Sequence, residues 1–513
     1  MIRAPHLRCT TPTRGVSRFI LGAFAVALIA VNLAAFRHAI GWEVFYNTDT
    51  EVMLDAAQAA GWRQALGWVG GPWIGAPLCL YYRPTSSWLM WGEWALFGWR
   101  ASGYQWVSMA LHLAAALLFW RIAARLLGGP SALRLRSGQA GSGSPLPGSQ
   151  GPPRAESRGG EMLAAVAALI FSLRPRNVRT LAVLTAQPDL VAAAFMFLSL
   201  LALLVLLSRS RPRFLLLCEA ALRCEARVAI AQNDVSEGAQ NDKSLASRQS
   251  AHMLPGAALL AVSLVAALLS LGGKEMALSL PLLASLVILF DDGLPRRRKA
   301  WLLAAYWGTF AAFMVGRSFA MSGLGYIPKG WRDPLHAVSA FGRSAGLYFA
   351  YPFASAVLTR EWWPGAMFAV IGVYAAAARR WPALRGERVL LYGAAPAFIG
   401  ASLGFGALFY ENWTGVLTPY PWHLLGSMLL YAMGAGLVIA RDRRAALFVL
   451  LWGLFALVPA AYRVYDWPGK FFYIPHTFWA FAGALLLDAL LGIARARRAP
   501  VHTSGHVVSR SGS

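Results

Sequence analysis

Long apolar runs, separated by short polar and Arg-rich stretches, recur along the whole chain. They are continuous rather than alternating. In lipid each backbone group must be bonded within its own helix or within a closed barrel, and continuous runs of roughly 18 residues select helices. Runs at 19–36, 103–124, 162–174, 189–207, 254–272, 275–290, 300–316, 363–378, 389–409, 422–440, 445–463 and 471–493 predict about twelve spans. The fifth and sixth form a tight hairpin around Gly272-Gly273-Lys274. The apolar stretch 341–357 is interrupted by Pro352 and reads as re-entrant or interfacial. As a full span it would carry Arg379, Arg380, Arg385 and Arg388 to the wrong side. The expected fold class is an all-α polytopic membrane protein.

Charge sets the orientation. Arg3, Arg8, Arg14 and Arg18 precede the first run with no acid among them, which places the start of the chain inside. The first run lacks a small-residue cleavage site and reads as an uncleaved anchor. Arg296-Arg297-Arg298, Arg441-Asp442-Arg443-Arg444 and Arg495-Ala496-Arg497-Arg498 then fall on the same inner side. The expected domains are an inner tail 1–18, a transmembrane domain 19–493 and an inner tail 494–513. Two inner loops, 128–160 and 218–253, break the apolar pattern and read as disordered insertions. Residues 37–102 stay outside. Within them 50–67 has helical spacing, with Val52, Ala56, Ala59 and Ala60 opposite Glu51, Asp55 and Gln58, as for an interfacial helix.

Composition adds limits. The chain has 513 residues, 57% hydrophobic and 14% charged, with a net charge of +24. Arg in inner loops accounts for that charge, and no recognition motif points to nucleic acid. Four cysteines (Cys9, Cys79, Cys218 and Cys224) show neither a disulfide framework nor a paired metal motif. The expected partners are the lipid bilayer and molecules held at its surface.

Three groups are candidates for chemistry. The stretch Tyr46-Asn47-Thr48-Asp49-Thr50-Glu51 puts two carboxylates just outside the first span. Asp49 suits a general base on an acceptor hydroxyl; equally, Asp49 and Glu51 suit the cap of a helix starting near Thr50. Arg174, Arg176 and Arg179, followed by Asp189, run against the positive-inside trend. A phosphate favours guanidinium groups there, and so does a network with loop carboxylates. Lys470, ahead of Phe471-Phe472-Tyr473-Ile474-Pro475, suits a lipid phosphate or an interfacial anchor. Lys274 and Glu275 read as a pair within one turn, and His112 as a packed, hydrogen-bonded helix contact. Asn412-Trp413-Thr414 is an incidental sequon.

Several segments, in order, resemble a known family. Tyr82-Arg83-Pro84-Thr85-Ser86-Ser87, Leu96-Phe97-Gly98, Gly103-Tyr104 and Leu111-His112-Leu113 resemble the Y-R-P-L…LFG…LLH-L run of the transmembrane O-mannosyltransferases that carry tetratricopeptide repeats. Phe171 to Leu190 resembles that family's F-x-L-H-P-x-H-x-E…R-x-D-L run. Lys274-Glu275-Met276 with Leu280-Pro281-Leu282 resembles its S-K-E…L-P-L hairpin, and Lys470 to Pro475 its R-Y-x-Y-x-P run. The resemblance covers nearly the whole chain, without the repeat region. It implies a GT-C-like fold whose first outer loop carries interfacial helices. It also implies a glycosyltransferase that moves a sugar from a polyprenyl-phosphate donor to a glycan or protein acceptor at the outer face. Asp49 then matches the catalytic base and Lys470 the residue near the lipid phosphate. Glu51, Arg83, Arg174, Arg176, Arg179, Asp189 and Tyr473 complete the expected substrate-binding set. The expected location is a bacterial inner membrane, with the site on the periplasmic side.

The departures have consequences. H-P-x-H-x-E reads Arg174-Pro175-Arg176-Asn177-Val178-Arg179 here, and the Arg of R-x-D is Gln187. Exchanging a carboxylate for Arg reverses the local charge, so no cofactor is expected and a divalent metal is disfavoured. A non-catalytic relative and a lipid-linked glycan transporter are the competing expectations. The transporter predicts internal repeats and broken midplane helices, and no repeat is visible.

Overall fold

The computed structural model describes residues 14–41, 48–75, 81–127, 155–174, 177–230, 256–321, 341, 380, 443–460 and 473–498. Among them the structure is helical, with no strand. The helices are α1 (Arg14–Phe36), α2 (Thr48–Ala59), α3 (Trp62–Gly67), α4 (Pro84–Phe97), α5 (Ala101–Leu127), α6 (Ala155–Ser172) and α7 (Asn177–Ala182). They continue as α8 (Gln187–Ile230), α9 (Gly256–Leu271), α10 (Leu280–Phe290), α11 (Arg296–Ala320), α12 (Arg443–Leu457) and α13 (Thr477–Arg498). Gly22–Ala39, Ala101–Leu127 and Leu184–Arg209 are long and apolar enough to cross a membrane. The predicted spans 363–378, 389–409 and 422–440, and the stretch 342–357, lie outside the described residues.

Helices α8 and α9 run antiparallel with small residues between them. Ser263 Oγ donates to the Ser199 carbonyl at 2.7 Å, and Ser270 Oγ to the Ala192 carbonyl at 2.7 Å. The Tyr306 hydroxyl of α11 lies 2.5 Å from Ser263 Oγ and 3.3 Å from Ser199 Oγ, so one polar knot joins three helices. Such contacts hold helices together where lipid supplies no hydrophobic drive. Around them an aromatic core gathers Phe119 of α5, Phe171 of α6, Phe197 of α8 and Phe481 of α13. Ring centroids 5.0 to 5.6 Å apart put these side chains in direct contact.

These pairings define two ends. Arg125 donates to Ser208 Oγ, and Arg444 pairs with Asp292 and donates to the Phe290 carbonyl, so Arg121, Arg125, Arg296, Arg297, Arg298 and Arg444 share a basic end. The opposite end collects the starts of α5, α8 and α13, the ends of α6 and α9, and the short helices α2 to α4.

Three expectations change. Helix α8 runs through 218–230 and α6 begins at Ala155, so parts of both expected insertions are helical. The Ala-, Leu-, Glu- and Arg-rich sequence of 218–230 has high helix propensity despite its polarity. In α2 the buried face is Met53, Leu54 and Ala57, while Val52 is exposed. That helix packs on α4 through Met90, which moves its apolar face from the one expected for membrane contact.

Candidate functional site

The site forms where α4 meets the turn between α9 and α10. Pro84 occupies the first turn of α4, where its missing N–H costs nothing. The Thr85 N–H bonds to the Gly272 carbonyl at 3.0 Å, and Ser86 Oγ donates to the Gly273 carbonyl at 2.7 Å. Both glycines are needed for this approach. A Cβ on Gly272 would sit 2.5 Å from Thr85 Oγ1, and one on Gly273 would sit 3.0 Å from the Ala192 nitrogen.

The docked turn delivers two charges. Arg83 reaches Glu275 through Nη2 at 2.6 Å and Nε at 3.0 Å, and its guanidinium lies over the rings of Trp73 and Tyr81 at 4.6 and 4.4 Å. Lys274 Nζ lies 2.5 Å from Asp189 Oδ2, with side chains 2% and 1% exposed. Lys274 and Glu275, expected to pair with each other, therefore reach across to separate elements. The reason is geometric: neighbouring residues at the end of an extended turn point apart, Lys274 towards α8 and Glu275 towards α4. Asp189 also acts through space on Arg83 and on Tyr473.

A second polar limb adjoins the first. The Tyr473 hydroxyl lies 2.6 Å from His112 Nδ1, while His112 Nε2 lies 3.2 Å from both Asn32 Oδ1 and the Ser172 carbonyl. Both groups facing Nε2 are acceptors, so the proton sits on Nε2 and Nδ1 accepts from the tyrosine. Asn177 Nδ2 donates to the Phe171 and Ser172 carbonyls and closes the end of α6. This fixes the bend in which Arg174 is buried, and Arg174's charge acts on His476.

A third element is Glu93 of α4, which accepts from Gln187 Nε2 at 2.6 Å. Its second oxygen is buried with no hydrogen-bond partner among the described residues. Burial pushes this carboxyl up to about 8, and the bond from Gln187 offsets only part of that. The sequence carried a signal for Glu93: a lone carboxylate inside the apolar Trp88-Leu89-Met90-Trp91-Gly92-Glu93-Trp94 run.

Of the expected site residues, Arg83 and Asp189 meet the docked turn through Glu275 and Lys274, and Tyr473 meets His112. Arg174 is buried at the end of α6. Asp49 and Glu51 lie exposed in the first turn of α2, the turn whose inward residue is Thr50. Carboxylates there favour the helix start through its dipole. No hydrogen bond or ion pair joins either one to the cluster among the described residues. Arg176, Lys470 and the side chain of Arg179 lie outside the described residues. Among the described residues no three or more His, Cys, Asp or Glu side chains form a group able to hold a metal.

Comparison with known proteins adds nothing to this geometry: no family model, no curated protein and no solved structure matches the chain.

Proposed function

We propose that this chain is a membrane glycosyltransferase of GT-C type, moving a sugar from a polyprenyl-phosphate donor to an acceptor hydroxyl at the outer face. One observation supports the reading above the others. Arg83, Asp189 and Lys274-Glu275 come from three segments of the resemblance and are joined by two buried ion pairs, while Tyr473 of the fourth segment bonds to His112. The cluster lies at the end opposite the basic loops, the end that the positive-inside trend assigns to the outer side.

In this mechanism Asp49 takes the proton of the acceptor hydroxyl. The hydroxyl oxygen attacks the anomeric carbon as the carbon–oxygen bond to phosphate breaks, and the lipid phosphate leaves with the bonding electrons. A single displacement inverts the anomeric centre. Lys470, Arg174, Arg176 and Arg179 stabilise the phosphate charge, and Glu51, Arg83, Asp189 and Tyr473 shape the site. The test is turnover of polyprenyl-phosphate sugars by the wild type and by Asp49→Asn. Loss of a general base lowers the rate by about 100-fold or more. Equal turnover by the variant removes Asp49 from the mechanism.

A non-catalytic relative is the second reading. What favours it is that Glu275 and Asp189 are both committed to buried ion pairs. A wild type that turns over none of a panel of donors decides for this reading.

A further inference from the structure

The basic end holds a cation pair that differs from its neighbours. Helix α5 buries one face through Ser108, His112, Ala116, Phe119 and Ala123. At 3.6 residues per turn the opposite face carries Val107, Ala110, Ala114, Leu117, Arg121 and Arg125, all half-buried or exposed. An apolar stripe thus runs straight into two arginines. The span Ala101–Leu127 has 27 residues. At 1.5 Å per residue it reaches about 40 Å, against roughly 30 Å of hydrocarbon, so its last turns lie at headgroup depth. Arg121 also lies 5.4 Å from the centre of the Trp120 ring, a pairing common at that depth. Arg125 Nη1 donates to Ser208 Oγ of α8 at 3.3 Å, and the charges of Arg121 and of Arg209 on α8 act on it through space. Arg444, at the same end, has Asp292. Arg121 and Arg125 form no ion pair among the described residues. Like charges four residues apart on a helix repel, and a half-buried site screens them less than water does. An anion between them turns that repulsion into attraction.

We propose that Arg121 and Arg125 bind the headgroup of an anionic phospholipid of the inner leaflet, with an acyl chain lying along Ala114 and Leu117 on the same face of α5. Guanidinium groups suit phosphate oxygens, and basic pockets between membrane helices on the inner side hold anionic headgroups. The apolar stripe selects a lipid over free phosphate. A zwitterionic lipid brings a cation of its own to a place that already has too many. The site lies at the opposite end of the bundle from the Arg83–Glu275 pair and stands whether or not the chain transfers a sugar.

The test uses the full-length protein in detergent micelles. Three probes are titrated: dioleoyl phosphatidylglycerol, dioleoyl phosphatidylcholine and inorganic phosphate. Native mass spectrometry reads the bound lipid, and thermal unfolding reads stability. Wild type is expected to bind phosphatidylglycerol at least tenfold more tightly than either of the others. Arg121→Gln combined with Arg125→Gln is expected to lose at least tenfold of that affinity, and Lys at both positions less. Arg297→Gln, an exposed cation in the first turn of α11, is expected to lose less than twofold. The unliganded double Gln variant is expected to melt at or above the wild-type temperature, because a repulsion is relieved. Unchanged affinity in the double Gln variant, equal binding of phosphatidylcholine, or equal binding of inorganic phosphate overturns the proposal. An equal loss in Arg297→Gln also overturns it, because the basic end then acts as diffuse charge rather than as a site. So does a fall of several degrees in unliganded melting, which shows the two arginines to be neutralised within the chain.

Discussion

Two ion pairs of similar chemistry sit at opposite ends of the bundle. Lys274 and Asp189 are 2% and 1% exposed; Arg444 and Asp292 are 28% and 63% exposed. At the basic end water solvates both partners whether or not they meet, so the pair adds about 0–1 kcal/mol. At the other end both charges are buried, and removing either leaves the other's charge uncompensated at this contact. Exposed charges leave the packing free, whereas buried ones determine which segments must touch. Arg83 with Glu275 repeats the lesson, since that pair holds α4 against a turn 192 residues away in the sequence.

The sharpest way to break the comparison is to remove one partner at each end. Lys274→Met or Asp189→Leu is expected to lower stability by about 3–5 kcal/mol, while the double variant recovers most of that loss. Thermal unfolding in detergent reads both, and a double variant no better than the singles refutes the pairing.

Glu93 gives the next largest effect, through pH. Its carboxyl titrates at about 8 in the folded protein against 4.5 when free, so between those values the folded state binds more protons than the unfolded one. Stability from this group is complete below pH 4.5 and is lost as pH rises through about 8, by roughly a few kcal/mol. Glu93→Gln is expected to flatten the melting temperature over that window. A slope that persists in the variant assigns it to another group.

Gly272→Ala is expected to cost about 1–3 kcal/mol, because its Cβ would overlap Thr85. Gly22→Ala in α1, where the new Cβ meets nothing within 4 Å, serves as the control. Asp292→Asn is expected to change stability by at most about 1 kcal/mol and to do so less in high salt. A larger loss makes the two ends alike.

The helices themselves were legible because their signal is local. The runs 19–36, 103–124 and 189–207 all fall within helices of the structure, and the hairpin at Gly272-Gly273-Lys274 is present. The pairing of charges was not legible. Lys274 and Glu275 are adjacent, and only the tertiary path shows that one turns to α8 and the other to α4. His112 could be read as a packed, bonded histidine, but Tyr473 as its partner lies 361 residues away.

The docking of α4 on the Gly272–Glu275 turn also bears on the order in which the molecule is made. Arg83 and Asp189 both precede their partners, by 192 and 85 residues. While the first half of the chain is being made, neither Arg83 nor Asp189 has its partner from the hairpin, Glu275 or Lys274. The seat of α4 therefore forms only after the Gly272–Glu275 turn has been synthesised. A chain truncated anywhere short of Lys274 lacks both buried ion pairs.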